Sequence, residues 1–250
     1  MAFAHDMTER LLVDAGIGPG MRVLDVGCGH GNVSVLLARL VGAQGMVLGV
    51  DRDAGALAVA EARVRELGLL QIAFLQRDVG ALSADVGTFD AAVGRRVLMY
   101  QPDAVAAVRS VATAVRPGGV VVFQEHDPSM GPGRLAPLPL HERVRGWIWQ
   151  MVEREGASLH MGFDLDGVLR RAGLEVEHVR AEAIVQTPDA PYDLFSIVRA
   201  VLPRMVAAGV VGPEEVDIDT LEQRLRDERQ GNPGTYLPEL VFSAWARKPA

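Results

Sequence analysis

Apolar runs of five or six residues recur along the chain, and stretches with helical spacing separate them. Buried strands read as short unbroken apolar runs and amphipathic helices as apolar positions three and four apart, so the alternation predicts an α/β sheet covered by helices. Residues 5–16 have the pattern of an opening helix, with Leu11, Leu12 and Ala15 on one side. Strands are predicted at 21–26, 46–51, 70–75, 88–94 and 119–125, with helices at 31–41, 53–67 and 103–115 between them. The last of these helices runs into Arg116-Pro117-Gly118-Gly119, a stop followed by a turn.

Beyond Glu125 the rhythm changes. Six Pro and Gly residues between Pro128 and Pro139 break regular structure. Helices are expected at 141–155, 163–172, 191–208 and 217–229, and strands at 174–184 and 236–247. That makes seven strands. The helix at 141–155 carries Trp147 and Trp149, which stand two residues apart and cannot both face one core. One of them is left for a substrate pocket or a subunit contact, so a homodimer stays open. No repeat, low-complexity tract or linker divides the sequence, and a single domain over 1–250 is expected.

The chemistry concentrates in Val23-Leu24-Asp25-Val26-Gly27-Cys28-Gly29-His30-Gly31, a strand that runs straight into a glycine turn opening a helix. Ligands of open α/β sheets bind at that carboxyl edge. Dinucleotide-binding proteins put Gly-x-Gly-x-x-Gly in the same place. Here the glycines fall at 27, 29 and 31, and the third comes one position early for that pattern. Asp25 also lies inside the strand, where a carboxylate would repel a pyrophosphate but suit a ligand bearing an ammonium and a sulfonium.

In this motif, and in those that follow it in order, the sequence resembles the class I S-adenosylmethionine-dependent methyltransferases. Gly49-Val50-Asp51-Arg52-Asp53 is similar to the family's second-strand end and Gln76-Arg77-Asp78-Val79 to its third. Gly87-Thr88-Phe89-Asp90-Ala91-Ala92-Val93-Gly94 is similar to its fourth strand, and Arg116-Pro117-Gly118-Gly119 to the turn before the fifth. The resemblance implies a Rossmann-like, doubly wound, seven-stranded sheet with S-adenosyl-L-methionine as cofactor. It places Asp51 on the ribose hydroxyls and Asp78 on the adenine amino group. Asp25, Gly27, Cys28 and Gly29 belong to the same cofactor set, as do Arg52, Val79, Gly94 and Arg95. A plain helix N-cap is the competing role for Asp51 and Asp78. Cys28 reads as a small residue tolerated beside glycines rather than a nucleophile.

Composition removes several rivals. Tyr100, Tyr192 and Tyr236 lack the lysine four residues on that a short-chain nicotinamide reductase needs, and Lys248 is the only lysine, which also rules out a P-loop. His141-Glu142 would need a second histidine at 145 for a zinc hydrolase, but that residue is Arg145. No metal is expected. A net charge of −7 with no basic stripe argues against nucleic acid. No apolar run approaches the ~20 residues of a bilayer span. The single cysteine and the charged stretch 1–10 place the expected home in the cytoplasm. The segment Gly94-Arg95-Arg96-Val97-Leu98-Met99-Tyr100 lacks the Pro-Pro loop of enzymes that methylate base or glutamine amino groups. A small-molecule acceptor, of the quinone, sterol or secondary-metabolite kind, is therefore expected. The open alternative is a subunit that binds the cofactor without catalysis.

Where the acceptor must lose a proton, His126 and Asp127 follow the fifth strand directly and are the candidate catalytic pair, with His126 suited to titrate near neutral pH. His141 and His160 are the weaker candidates. Residues 20–125 are read as the cofactor-binding core. Residues 126–162 and 190–230 are read as substrate-lid insertions.

Overall fold

The computed structural model describes residues 2–83, 86–187 and 193–250. Seven strands form one sheet: β1 (Arg22–Val26), β2 (Met46–Asp51), β3 (Ile72–Gln76), β4 (Phe89–Arg95), β5 (Val115–Asp127), β6 (Glu175–Ala183) and β7 (Leu240–Arg247). Their order is β3-β2-β1-β4-β5-β7-β6. The first five strands are parallel, and β7 runs antiparallel between β5 and β6. The helices are α1 (Ala2–Asp14), α2 (Asn32–Val41), α3 (Ala54–Glu66), α4 (Ala104–Thr113), α5 (Pro139–Arg154), α6 (Met161–Arg171), α7 (Leu194–Ala207), α8 (Pro213–Val216) and α9 (Ile218–Gly231). This is the α/β sheet covered by helices that the sequence pattern predicts, in the doubly wound form that the family resemblance implies.

Successive strand residues point to opposite faces, and two apolar clusters follow from it. Val23, Val47, Ala91, Val93, Val120 and Val122 pack with Leu12 of α1 and Val33 and Leu37 of α2. Leu24, Val26, Val50, Ala92, Val121 and Phe123 face the other way, toward residues of α4, α5 and α6 such as Val108, Val144 and Leu165. Burying a side chain of this kind is worth about 1.5–3 kcal/mol, so each valine doublet fixes the register of its strand on both sides. The parity of a residue in β1, β4 or β5 therefore decides which face its side chain serves.

Most boundaries shift by a few residues from the pattern, the final strand starting at Leu240 rather than 236. Strand β5 begins at Val115 rather than 119, because Arg116-Pro117-Gly118-Gly119 forms an irregularity inside the strand and its register against β4 shifts there. The four-residue helix α8 has too few residues to show a period. The start expected for α7, at 191, lies outside the described residues, as does the opening of the 190–230 segment. Among the described residues, no helix is long and apolar enough to cross a membrane, and no group of His, Cys, Asp and Glu could hold a metal ion.

Candidate cofactor and acceptor site

The strand ends of β1, β2 and β3 open onto a cavity of about 600 Å³, within the range of small-molecule sites. Its wall is made where the sheet's parallel strands give way to turns. Gly27 and Gly29 take φ of +63° and +51°, a left-handed conformation that glycine adopts without strain. A Cβ at Gly27 would stand 2.6 Å from Val97 Cγ2, while at Gly29 it would meet nothing within 4 Å. The first glycine lets two turns close together; the second leaves a bare backbone facing the cavity.

Asp51 ends β2 on the cavity wall. Its Oδ2 accepts the N–H of Gly29 at 2.8 Å and its Oδ1 that of Asp53 at 3.0 Å. The helix cap is Asp53, which accepts the N–H groups of Gly55 and Ala56; Asp51 is thus free of that duty. Asp78 does cap the short turn 79–81 by accepting the Gly80 N–H at 2.8 Å, and it lines the cavity with Val79. Arg52 completes this side.

Other predicted residues lie elsewhere. Asp25 shares the parity of Val23, so its buried carboxylate turns onto α2 and accepts from Ser34 Oγ at 2.5 Å. Burial raises its pKa to about 7, against the hydrogen bond from Ser34. Cys28 is buried beside Gly49, and burial pushes its thiol up, away from the reactive thiolate. Gly94 is a packing position, where a Cβ would stand 2.4 Å from Phe123. Arg95 has the parity of Val93 and reaches back toward α1, its Nη1 3.5 Å from Thr8 Oγ1. None of these four residues lines the cavity.

His126 and Asp127 also fall outside the cavity wall, and being consecutive strand residues they face opposite ways. His126 Nδ1 lies 2.7 Å from Glu239 Oε1, and Glu239 also pairs with Arg145. Burial and the charges of Arg96, Arg95 and Arg145 hold the His126 pKa well below the usual histidine range, so it is neutral and donates Nδ1–H to Glu239. Asp127 Oδ1 accepts from Ser129 N at 2.9 Å and from Ser129 Oγ at 2.5 Å. His141 is tied to Glu228 of α9 at 2.7 Å, and His160 stands at the start of α6 without a side-chain hydrogen bond to the helix. Neither lines a cavity described here.

The turn after β4 supplies what the sequence reading missed. Arg96, at φ +57°, donates its N–H to Gln124 O at 2.8 Å, and Arg96, Val97, Tyr100 and Gln101 line the cavity. Glu125 of β5 fixes that turn from below: its buried Oε1 accepts the N–H groups of Val97 at 3.0 Å and Leu98 at 2.8 Å. Burial raises its pKa to about 7. Glu155 and Arg204, brought together at the ends of α5 and α7, are ion-paired at 2.5 Å on the far wall.

A second, smaller cavity of about 130 Å³ adjoins the first and shares Arg96, Tyr100 and Arg204 with it. Trp149 of α5 and Leu194, Ile197 and Val201 of α7 give it apolar wall beside the charged groups of Arg96, Arg145, Arg204 and Glu239. Trp147, by contrast, is buried in the core.

Residues 17–194 match the family model described as a methyltransferase domain. The chain belongs to that methyltransferase domain family. An arsenite methyltransferase of Aquipseudomonas alcaligenes is 36% identical over 121 residues, covering 46% of this chain and 35% of that protein. A 2-phytyl-1,4-naphtoquinone methyltransferase of Synechococcus elongatus is 35% identical over 127 residues, covering 50% of this chain and 54% of that protein. The chain thus spans from about a third to just over half the length of these relatives. Among solved structures, a SAM-dependent methyltransferase from Aquifex aeolicus superposes with a TM-score of 0.56 at 16% identity, covering 95% of this chain and 87% of that one. The methyltransferase domain accordingly takes in the sheet edge, the glycine turn and both strand-end acids.

Proposed function

We propose that this protein transfers a methyl group from S-adenosyl-L-methionine to a small organic acceptor. The observation that carries the reading is the meeting, on one cavity wall, of the bare backbone at Gly29 with the carboxylates of Asp51 and Asp78. Both acids are acceptors, matched to hydroxyl and amino hydrogens, and they suit a cationic nucleoside better than a pyrophosphate. Asp51 keeps lone pairs for the ribose hydroxyls beside the two amides it already accepts. Asp78 keeps its second oxygen for the adenine amino group, with Val79 against the ring. Gly27, Gly29 and Arg52 complete the binding set.

The cofactor, when bound, supplies a methyl group already activated by the positive sulfonium. The chain's own residues then have to place an acceptor, an effect worth up to about 7–11 kcal/mol when the geometry is right. The second cavity adjoins the first at Arg96 and Tyr100 and combines apolar side chains with charged ones, a lining suited to a small organic body that bears a polar group. Among the described residues no histidine lines either cavity, which supports placement of the acceptor rather than proton abstraction by His126 as the mechanism. Relatives named for arsenite and for a phytyl-naphthoquinone support a small-molecule acceptor, and the acidic net charge of −7 supports one other than nucleic acid. We place the protein in the cytoplasm, in secondary metabolism, as one domain with segments 126–162 and 190–230 over the acceptor.

Calorimetry tests this directly. S-Adenosylmethionine and S-adenosylhomocysteine should bind, NAD and NADP should not, and a labelled methyl group should pass to material in a cell extract. Tight nicotinamide binding removes the reading. Cofactor binding without any methyl transfer supports the non-catalytic subunit instead.

A further inference from the structure

Three guanidinium groups line the smaller cavity, two of them, Arg96 and Arg204, shared with the larger one, and they are not equivalent. Arg145 is paired with Glu239, whose other oxygen holds His126. Arg204 is paired with Glu155 at 2.5 Å. Each of these cations therefore already has its counter-charge. Arg96 is different: among the described residues its side chain makes no hydrogen bond and no close ion pair, and the buried Glu125 carboxylate attracts it only from a distance. Glu125, the nearest acid in sequence on β5, turns Oε1 to the Val97 and Leu98 amides instead.

The backbone of Arg96 makes the point stronger. A side chain at φ +57° is strained, and such strain persists only where the surroundings over-determine it. Here the Gln124 carbonyl before it in space and the Glu125 carboxylate after it hold the turn in that form. The strained residue presents a fork of donors without hydrogen-bond partners at the junction of the larger cavity and a smaller one with an apolar side made by Trp149, Leu194 and Val201. A guanidinium matches a carboxylate in a bidentate pair, and it gains more from that pair beside apolar walls than in open water.

Resting on the methyl-transfer reading above, we infer that Arg96 selects the acceptor: the substrate is an apolar or aromatic molecule bearing a carboxylate, which pairs with the Arg96 guanidinium while its body lies against Trp149, Leu194 and Val201. Arg96 is a specificity-determining residue in this assignment, and the neighbouring ion pairs keep Arg145 and Arg204 from competing for the anion.

The test uses 1-naphthoate and its neutral isostere 1-naphthamide as probes, titrated by calorimetry into the whole protein with and without S-adenosylhomocysteine. Wild type should bind the carboxylate about tenfold or more tightly than the amide, the size of one charge-assisted pair. In Arg96→Asn, which keeps a residue tolerant of the left-handed backbone, the preference should fall to within about twofold. Arg96→Gly, free of strain at this φ, repeats the measurement if the asparagine variant does not fold. Equal affinity of wild type for both probes, no binding of either, or a preference that survives in the variants overturns the assignment. The S-adenosylhomocysteine titration stands separately: its failure removes the methyl-transfer reading, whereas its success beside an absent carboxylate preference removes only the role of Arg96.

Discussion

Asp51, the last residue of β2, accepts the N–H of Gly29 at 2.8 Å, across a gap of 22 residues in sequence. One carboxylate thereby holds the glycine turn of β1 and faces the cavity that the turn borders. Its second oxygen is fixed by the Asp53 N–H, so the group enters the site with its orientation already set. Such pre-organisation lowers the ordering cost of binding.

Asp51→Ala should consequently weaken S-adenosylhomocysteine binding by about 1.5–3 kcal/mol, the value of hydrogen bonds to a charged group. That corresponds to roughly ten- to hundredfold in Kd. Asp51→Asn, which keeps one acceptor oxygen, should lose less. Titration calorimetry decides it, and an unchanged Kd in the alanine variant removes Asp51 from the site.

Much of the larger cavity's wall was legible because its signals are local. A strand, a turn and a terminal acid lie within a few residues of one another, and the positions of Gly27, Gly29, Asp51 and Asp78 follow from them. Parity decided what local signals could not. Asp25 and Arg95 sit on the α1/α2 side of the sheet with Val23 and Val93, and Arg96 one residue later enters the cavity wall. The far wall and the smaller cavity were not legible, since Trp149, Leu194, Glu155 and Arg204 meet only through the packing of α5 against α7. Glu125 looked like one more strand residue, although its two accepted amides hold the turn that positions Arg96.

Asp25 gives the stability of the protein a pH dependence of known sign. Its pKa rises from 3.8 to about 7 on folding because burial disfavours the charged form. The folded state therefore keeps a proton that the unfolded state releases. This contribution is complete below about pH 4 and is lost as pH climbs through about 7, with a slope near 1.4 kcal/mol per pH unit between them. Glu125, raised to about 7 in the same way, acts in the same direction. In Asp25→Asn, denaturant unfolding measured from pH 4.5 to 7 should lose one proton's share of that slope. A variant whose slope matches wild type would mean that Asp25 is ionised in its buried place beside Ser34.

The buried group of His126, Glu239 and Arg145 yields the last expectation. Glu239 is 5% exposed and receives both the imidazole and the guanidinium. Removing one partner of such a pair leaves a buried charge without compensation, which typically costs about 3–5 kcal/mol. Arg145→Ala should therefore destabilise the protein by about that much in urea unfolding. Arg145→Met combined with Glu239→Leu removes both charges and should recover most of the loss. His126 reports the same change from inside. Its pKa is held low by burial and then by Arg96, Arg95 and Arg145. Taking away Arg145 lifts one of those repulsions and leaves the Glu239 charge to His126 alone, so the imidazole pKa should rise in Arg145→Ala, as read from its ring proton shifts by NMR. Stability in that variant should then fall less steeply than in wild type as pH drops below about 6.5, because a higher folded pKa lies nearer the unfolded value. A loss smaller than about 1 kcal/mol, or an imidazole that titrates as in wild type, would show that Glu239 is not held by Arg145 in solution.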